Sequence, residues 1–111
     1  MNAILGFLGR AIARYLDQPS PGYQPLATGS PGQLRRTLQA CDVLLVEGKH
    51  RISVAIKYLT QSTWSHAALY LGSRLAGDPA DPDPPVLLEA DLLHGVCVVP
   101  LSRYANFHTR I

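Results

Sequence analysis

A chain of 111 residues has room for one hydrophobic core and no second. Hydrophobic residues make up 47% of it and charged residues 16%, which excludes a disordered polymer, and a net charge of +2 is too weak and too scattered to argue for nucleic-acid binding, so none is expected. Cys41 and Cys97 form no CxxC and have no histidine at zinc-finger spacing, which argues against a disulfide framework or a structural metal and makes a reducing, cytoplasmic setting the expectation.

The chain opens with Ile4, Leu5, Leu8, Ala11, Ile12, Tyr15 and Leu16 at helical spacing, interleaved with Arg10, Arg14 and Asp17, which predicts an amphipathic helix over residues 1–17. The arginines follow the apolar run instead of preceding it, and the run is far shorter than a bilayer, so it is neither a signal peptide nor a membrane span. Such a helix docks on its own domain or a partner, the commoner outcome, or lies peripherally on a membrane with its arginines at anionic headgroups. Residues 18–33, dense in Pro, Gly and Ser, read as a linker, and the domain proper occupies 34–111.

Within that domain "QLRRTLQ" predicts a short helix and "CDVLLVEG" a buried strand closed by Gly48. Residues 52–59 place Ile52, Ala55, Ile56 and Leu59 on one helical face. A strand follows over 67–71, and then "SRLAGDPADPDPP", whose prolines make it a surface loop. Two more strands, 87–90 and 96–99, flank "LHG", a tight hairpin, and a helical turn in "SRYANF" leads to "HTRI", which reads as the start of another strand. Short runs joined by brief turns favour neighbour pairing, so the expectation is an α+β domain with one largely antiparallel sheet and the 52–59 helix on one face.

His66 stands at the head of the 67–71 strand, in "TQSTWSHAALYLG". A lone histidine there can donate one hydrogen bond to a carbonyl and have no chemical role. Its company supports another reading: Ser62, Thr63 and Ser65 surround it, and Glu89 lies in the next strand, where a carboxylate on the far ring nitrogen fixes the tautomer and makes the imidazole a general base. Trp64 and Ser65 are the candidate substrate-binding side chains, although a lone tryptophan beside a strand is commonly a core or rim anchor. Asp42 reads as tying down the start of its strand, and Lys57 and Tyr58 as snorkelling side chains. His50, His94 and His108 are scattered through turns, so no metal site is expected.

"CDVLLVEGKHRISVAIKYLTQSTWSHAALYLG" followed by "LLEADLLHGVCVVPLSRY" resembles the N-terminal half of the circularly permuted NlpC-like, papain-like amidases, or lipo-like proteins. The resemblance spans about residues 38–111 and is most specific at 42–45, 53–57, 64–70 and 88–90. It implies a permuted papain-like sheet in which the histidine strand precedes the cysteine helix. His66 then matches the catalytic histidine, Glu89 the polar residue that orients it, and the thiol nucleophile lies on a helix beyond Ile111. The family usually has glycine where this chain has Cys41. Cys41 leads into a strand and Cys97 alternates with apolar neighbours, so neither has the setting of a nucleophile.

The expected function is therefore thiol-dependent hydrolysis or acyl transfer at amide or ester bonds of a small peptide, amide or lipid-like substrate, without a cofactor. The 111-residue chain alone is expected to be inactive, to stop short of the complete domain, and to self-associate through uncovered apolar sheet surface. The alternative is a non-catalytic binding or interaction module, membrane-peripheral through its first helix.

Overall fold

Residues 2–20, 31–72 and 79–111 are described by the computed structural model of the chain. The apolar runs form four strands, β1 (Val43–Val46), β2 (His66–Tyr70), β3 (Pro85–Asp91) and β4 (Gly95–Pro100), and the terminal "HTRI" adds a fifth, β5 (Thr109–Arg110). The strands make one antiparallel sheet in the order β4-β3-β2-β1-β5. The β3–β4 turn occupies residues 92–94, where Asp91 Oδ1 accepts the backbone N–H groups of Leu93 (2.8 Å) and His94 (2.5 Å). Gly95 then closes the turn at φ +70°, a conformation glycine adopts without steric cost.

Side chains alternate across the sheet, and directly opposed residues share a face. The pairs Leu44–Ala68 and Leu87–Val99 are both buried, which fixes the inner face. On that face Leu44, Val46, Leu87 and Val99 pack with Leu38 and with Leu101 and Tyr104 of a 3-10 helix (Leu101–Tyr104) that follows β4. Complete burial of Leu44 and Leu87 contributes about 1.5–3 kcal/mol each. The outer face is also apolar but uncovered: Val43, Ala67, Ala90, Val96 and Val98 are all exposed.

Three helices complete the α+β architecture: α1 (Ala3–Leu16), α2 (Pro31–Thr37) and α3 (Arg51–Thr60). α2 begins at Pro31, inside the stretch read as linker, because proline at a first helical position sacrifices no hydrogen bond. Residues 18–20 are fastened to the domain, with Pro19 bridged to His50 and the Ser20 N–H donating to the Lys49 carbonyl at 2.8 Å. Residues 21–30 of the expected linker and 73–78 of the Pro/Asp loop lie outside the described residues.

Of the expected α3 face, Ile52, Ala55 and Ile56 are half-buried and Leu59, in the last turn, is exposed, while the most buried residue of the helix is Ser53. Gly48 permits the close approach at Ser53: a Cβ there would stand 2.1 Å from Ser53 Oγ. Among the described residues no helix is long and apolar enough to cross a membrane.

Candidate functional site

β2 and β3 are in register at Leu69–Leu88 and Tyr70–Leu87. Continued toward the other end, that register sets His66 opposite Asp91 and therefore two positions from Glu89 on the same face, a diagonal that long side chains can span. They do span it: His66 Nε2 is 2.6 Å from Glu89 Oε2. The His66 side chain is 24% exposed and that of Glu89 only 1%.

A carboxylate this deeply buried is costly unless donors surround it. The 3-10 helix after β4 supplies a hydrogen-bond donor and a guanidinium beside the histidine. The Tyr104 hydroxyl donates to the same Oε2, and Arg103 Nε approaches Oε1 at 3.4 Å. Burial, and then the hydrogen bond to Glu89, push the Tyr104 hydroxyl far above the ordinary tyrosine value, so it stays protonated and remains a donor. With Nε2 of His66 committed to Glu89, Nδ1 is the ring nitrogen left for a substrate or a nucleophile.

That ring lines a cavity of about 450 Å³, within the usual range for small-molecule sites. Val46, Ile52, Ile56, Leu92 and Phe107 give it an apolar wall, and His66, Glu89 and Arg103 gather on its polar side. Ser65, also on the wall, accepts the Gly48 N–H at 2.9 Å while its own N–H donates to the Val46 carbonyl at 3.2 Å. These two bonds fix the chain immediately before His66.

Of the residues expected from sequence, His66, Glu89 and Ser65 come together at the cavity and Trp64 does not. Ser65 turns toward Gly48, which leaves Trp64 on the other side, its ring 4.9 Å from that of His108 and tilted by 50°. His108 Nδ1 in turn binds Glu47 Oε2 at 2.8 Å, and Glu47 Oε1 lies 3.5 Å from Lys57 Nζ. Trp64 is thus the rim of a second polar cluster, apart from the residues that line this cavity. Asp42 ties down the start of β1, as its Oδ2 accepts the Gln39 N–H at 2.8 Å.

Neither cysteine lines the cavity. Cys41 is exposed in the turn before β1. Cys97 pairs with Glu89 across β3 and β4, and its sulfur lies within 4.8 Å of the Glu89 and Asp91 carboxylates. Glu89 Oε2 and the Asp91 carboxylate already face His66, Tyr104 and His94, while Glu89 Oε1 lies 3.4 Å from Arg103 Nε and accepts no hydrogen bond among the described residues, so the trio has the donor types of a metal site. Arg103 and Tyr104 are the site residues that sequence reasoning missed. The available signal was an Arg-Tyr pair just after the strand that partners the Glu89 strand.

Fold and site together define an α+β domain whose antiparallel sheet holds a buried carboxylate–imidazole pair at the wall of an open cavity. Compared with family models, with curated proteins and with solved structures, the chain has no match.

Proposed function

We propose that the chain is the histidine-bearing portion of a permuted papain-like domain that hydrolyses or transfers acyl groups at amide or ester bonds through a thiol. The observation that carries the reading is the His66–Glu89 pair, which leaves His66 Nδ1 as the base at the edge of the cavity. The mechanism has two halves. His66 takes the thiol proton, the thiolate adds to the substrate carbonyl, and the imidazolium, held by Glu89, returns the proton to the departing amine or alcohol as the carbon–heteroatom bond breaks. Water or a second acceptor, deprotonated by the same nitrogen, then cleaves the thioester and restores the thiol.

Because Cys41 and Cys97 both lie off the cavity, the reading takes the nucleophile from a helix encoded beyond Ile111, the order that the resemblance to the NlpC-like amidases implies. A reducing cytoplasm would keep such a thiol available. The uncovered outer face of the sheet, with Val43, Val96 and Val98, fits a chain that packs against further structure. The same lack of a thiol at the cavity favours a second reading, a binding module that uses the cavity without chemistry.

The test compares labelling by a thiol-reactive acyl probe in this chain and in a form extended through the downstream coding sequence. The proposal expects His66-dependent labelling of a downstream cysteine in the extended form and none in the short one, with Cys41→Ser and Cys97→Ser as controls. An extended form with no such cysteine would favour the binding module. His66-dependent labelling of Cys41 or Cys97 would overturn the assignment of the nucleophile.

A further inference from the structure

α1 is well formed and packs little against the other described residues. Asn2 caps it, with its Oδ1 accepting the Ile4 N–H at 3.2 Å, yet none of its residues is buried. Six large apolar side chains, Ile4, Leu5, Phe7, Leu8, Ile12 and Tyr15, are 49–68% exposed. At about 100° per residue they fall on one half of the circumference, and Gly6, Gly9, Arg10, Ala13 and Arg14 occupy the other. Arg10 and Arg14 form a column along one border of the apolar arc, beside Phe7, and neither is ion-paired to a described residue. The helix contains no acidic residue.

Among the described residues, the contacts that anchor α1 to the domain gather at its C-terminal end. The Arg51 guanidinium lies 4.2 Å from the centre of the Tyr15 ring, and Asp17 Oδ1 is 3.9 Å from His50 Nδ1. The Arg51 N–H donates to the Gln18 carbonyl at 3.0 Å. This anchor engages Tyr15 at one end of the arc and leaves Ile4, Leu5, Phe7, Leu8 and Ile12 exposed.

We infer that α1 is an interfacial helix that lies on an anionic lipid surface, with its apolar arc among the acyl chains and Arg10 and Arg14 at the headgroup phosphates. Fourteen residues span about 21 Å, too short to cross a bilayer and sufficient to lie in its plane. A second copy is the poorer occupant. An arc covering half the helix is wider than a helix–helix seam, and the uncovered sheet face, with Val43, Ala67, Ala90, Val96 and Val98, offers the arginines no carboxylate. Asp17, one residue beyond α1, lines the cavity that holds His66, so binding through this helix would set the cavity mouth close to the lipid. The inference rests on the helix and its anchor and is independent of the acyl-transfer reading.

The experiment is co-sedimentation of the whole 111-residue chain with vesicles of phosphatidylcholine alone or in equimolar mixture with phosphatidylglycerol, at low salt. Binding to the mixed vesicles is expected to exceed binding to neutral ones by about 25-fold, from about fivefold per arginine. Arg10→Glu with Arg14→Glu should erase that preference. Leu5→Asp with Leu8→Asp should abolish sedimentation with either vesicle while leaving the urea unfolding midpoint of the domain unchanged, since neither side chain is buried. Failure of the chain to bind mixed vesicles overturns the inference. So does concentration-dependent association without lipid that the Leu5 and Leu8 substitutions remove, because the arc would then belong to a second copy.

Discussion

One oxygen of Glu89 serves two partners: Oε2 lies 2.6 Å from Nε2 of His66 and also accepts the Tyr104 hydroxyl. The three side chains come from β2, β3 and the 3-10 helix, so the pair that orients the histidine also joins separate parts of the fold. Tyr104→Phe keeps the ring and removes the donor, and a hydrogen bond to a charged group is worth about 1.5–3 kcal/mol. Urea unfolding should show a loss in that range. A double-mutant cycle of Tyr104→Phe and His66→Ala should be non-additive by about 0.5–3 kcal/mol, and strict additivity would mean that the two do not share Glu89.

Gly48 is a point of close approach. An added Cβ would meet Ser53 Oγ at 2.1 Å, Ser53 Cβ at 2.8 Å and Ser65 Oγ at 2.9 Å. Gly48→Ala should cost about 1–3 kcal/mol by overpacking. Ser53→Ala in the same chain removes the nearest atom and should recover part of the loss, read as a partial return of the denaturant midpoint. A Gly48→Ala protein as stable as the original would show that α3 does not press against this turn.

Cys41 sits at φ +76°, in the left-handed region, where a side chain costs roughly 1–2 kcal/mol and glycine nothing. The turn is firmly held: the Cys41 N–H donates to the Tyr70 carbonyl at 2.8 Å, and the Tyr70 N–H to the Asp42 carbonyl at 2.8 Å. Glycine suits this backbone, and the exposed thiol has no core packing to lose. Cys41→Gly should therefore stabilise the protein by about 1 kcal/mol, measured by chemical denaturation. A decrease would place the side chain in a role other than filling the turn.

The sheet was legible in the sequence because its strands are short apolar runs bounded by Gly, Pro and polar turns, and the short 92–94 turn makes β3 and β4 neighbours, whereas β1 and β2 pair across α3 and β2 and β3 across the Pro/Asp loop. His66 and Glu89 were legible as a pair for the same reason, since they occupy consecutive strands on one face. Arg103 and Tyr104 were not, because their place beside Glu89 depends on how the chain folds back after β4, which no periodicity encodes. Of the α3 face expected to be apolar, Ile52, Ala55 and Ile56 are half-buried and Leu59, in the last turn, is exposed, since a helical period does not say how far along a helix its cover extends.

Asp91 gives the fold a defined acid dependence. Partial burial works to raise its pKa, but the His94 N–H and ring and the Leu93 N–H together outweigh burial and hold it below the ordinary carboxylate value. In the unfolded chain the group reverts to about 3.9. As pH falls the unfolded state therefore takes up this proton first, so the stabilisation is complete above the unfolded value and disappears as pH drops through the lower folded one. Asp91→Asn keeps an acceptor for the 92–94 turn and loses the charge. It should lower the urea midpoint near neutral pH, and the difference from the original protein should shrink on acidification below about pH 4. A difference of constant size across that range would show that the carboxylate's charge contributes nothing to the turn, leaving only its shape.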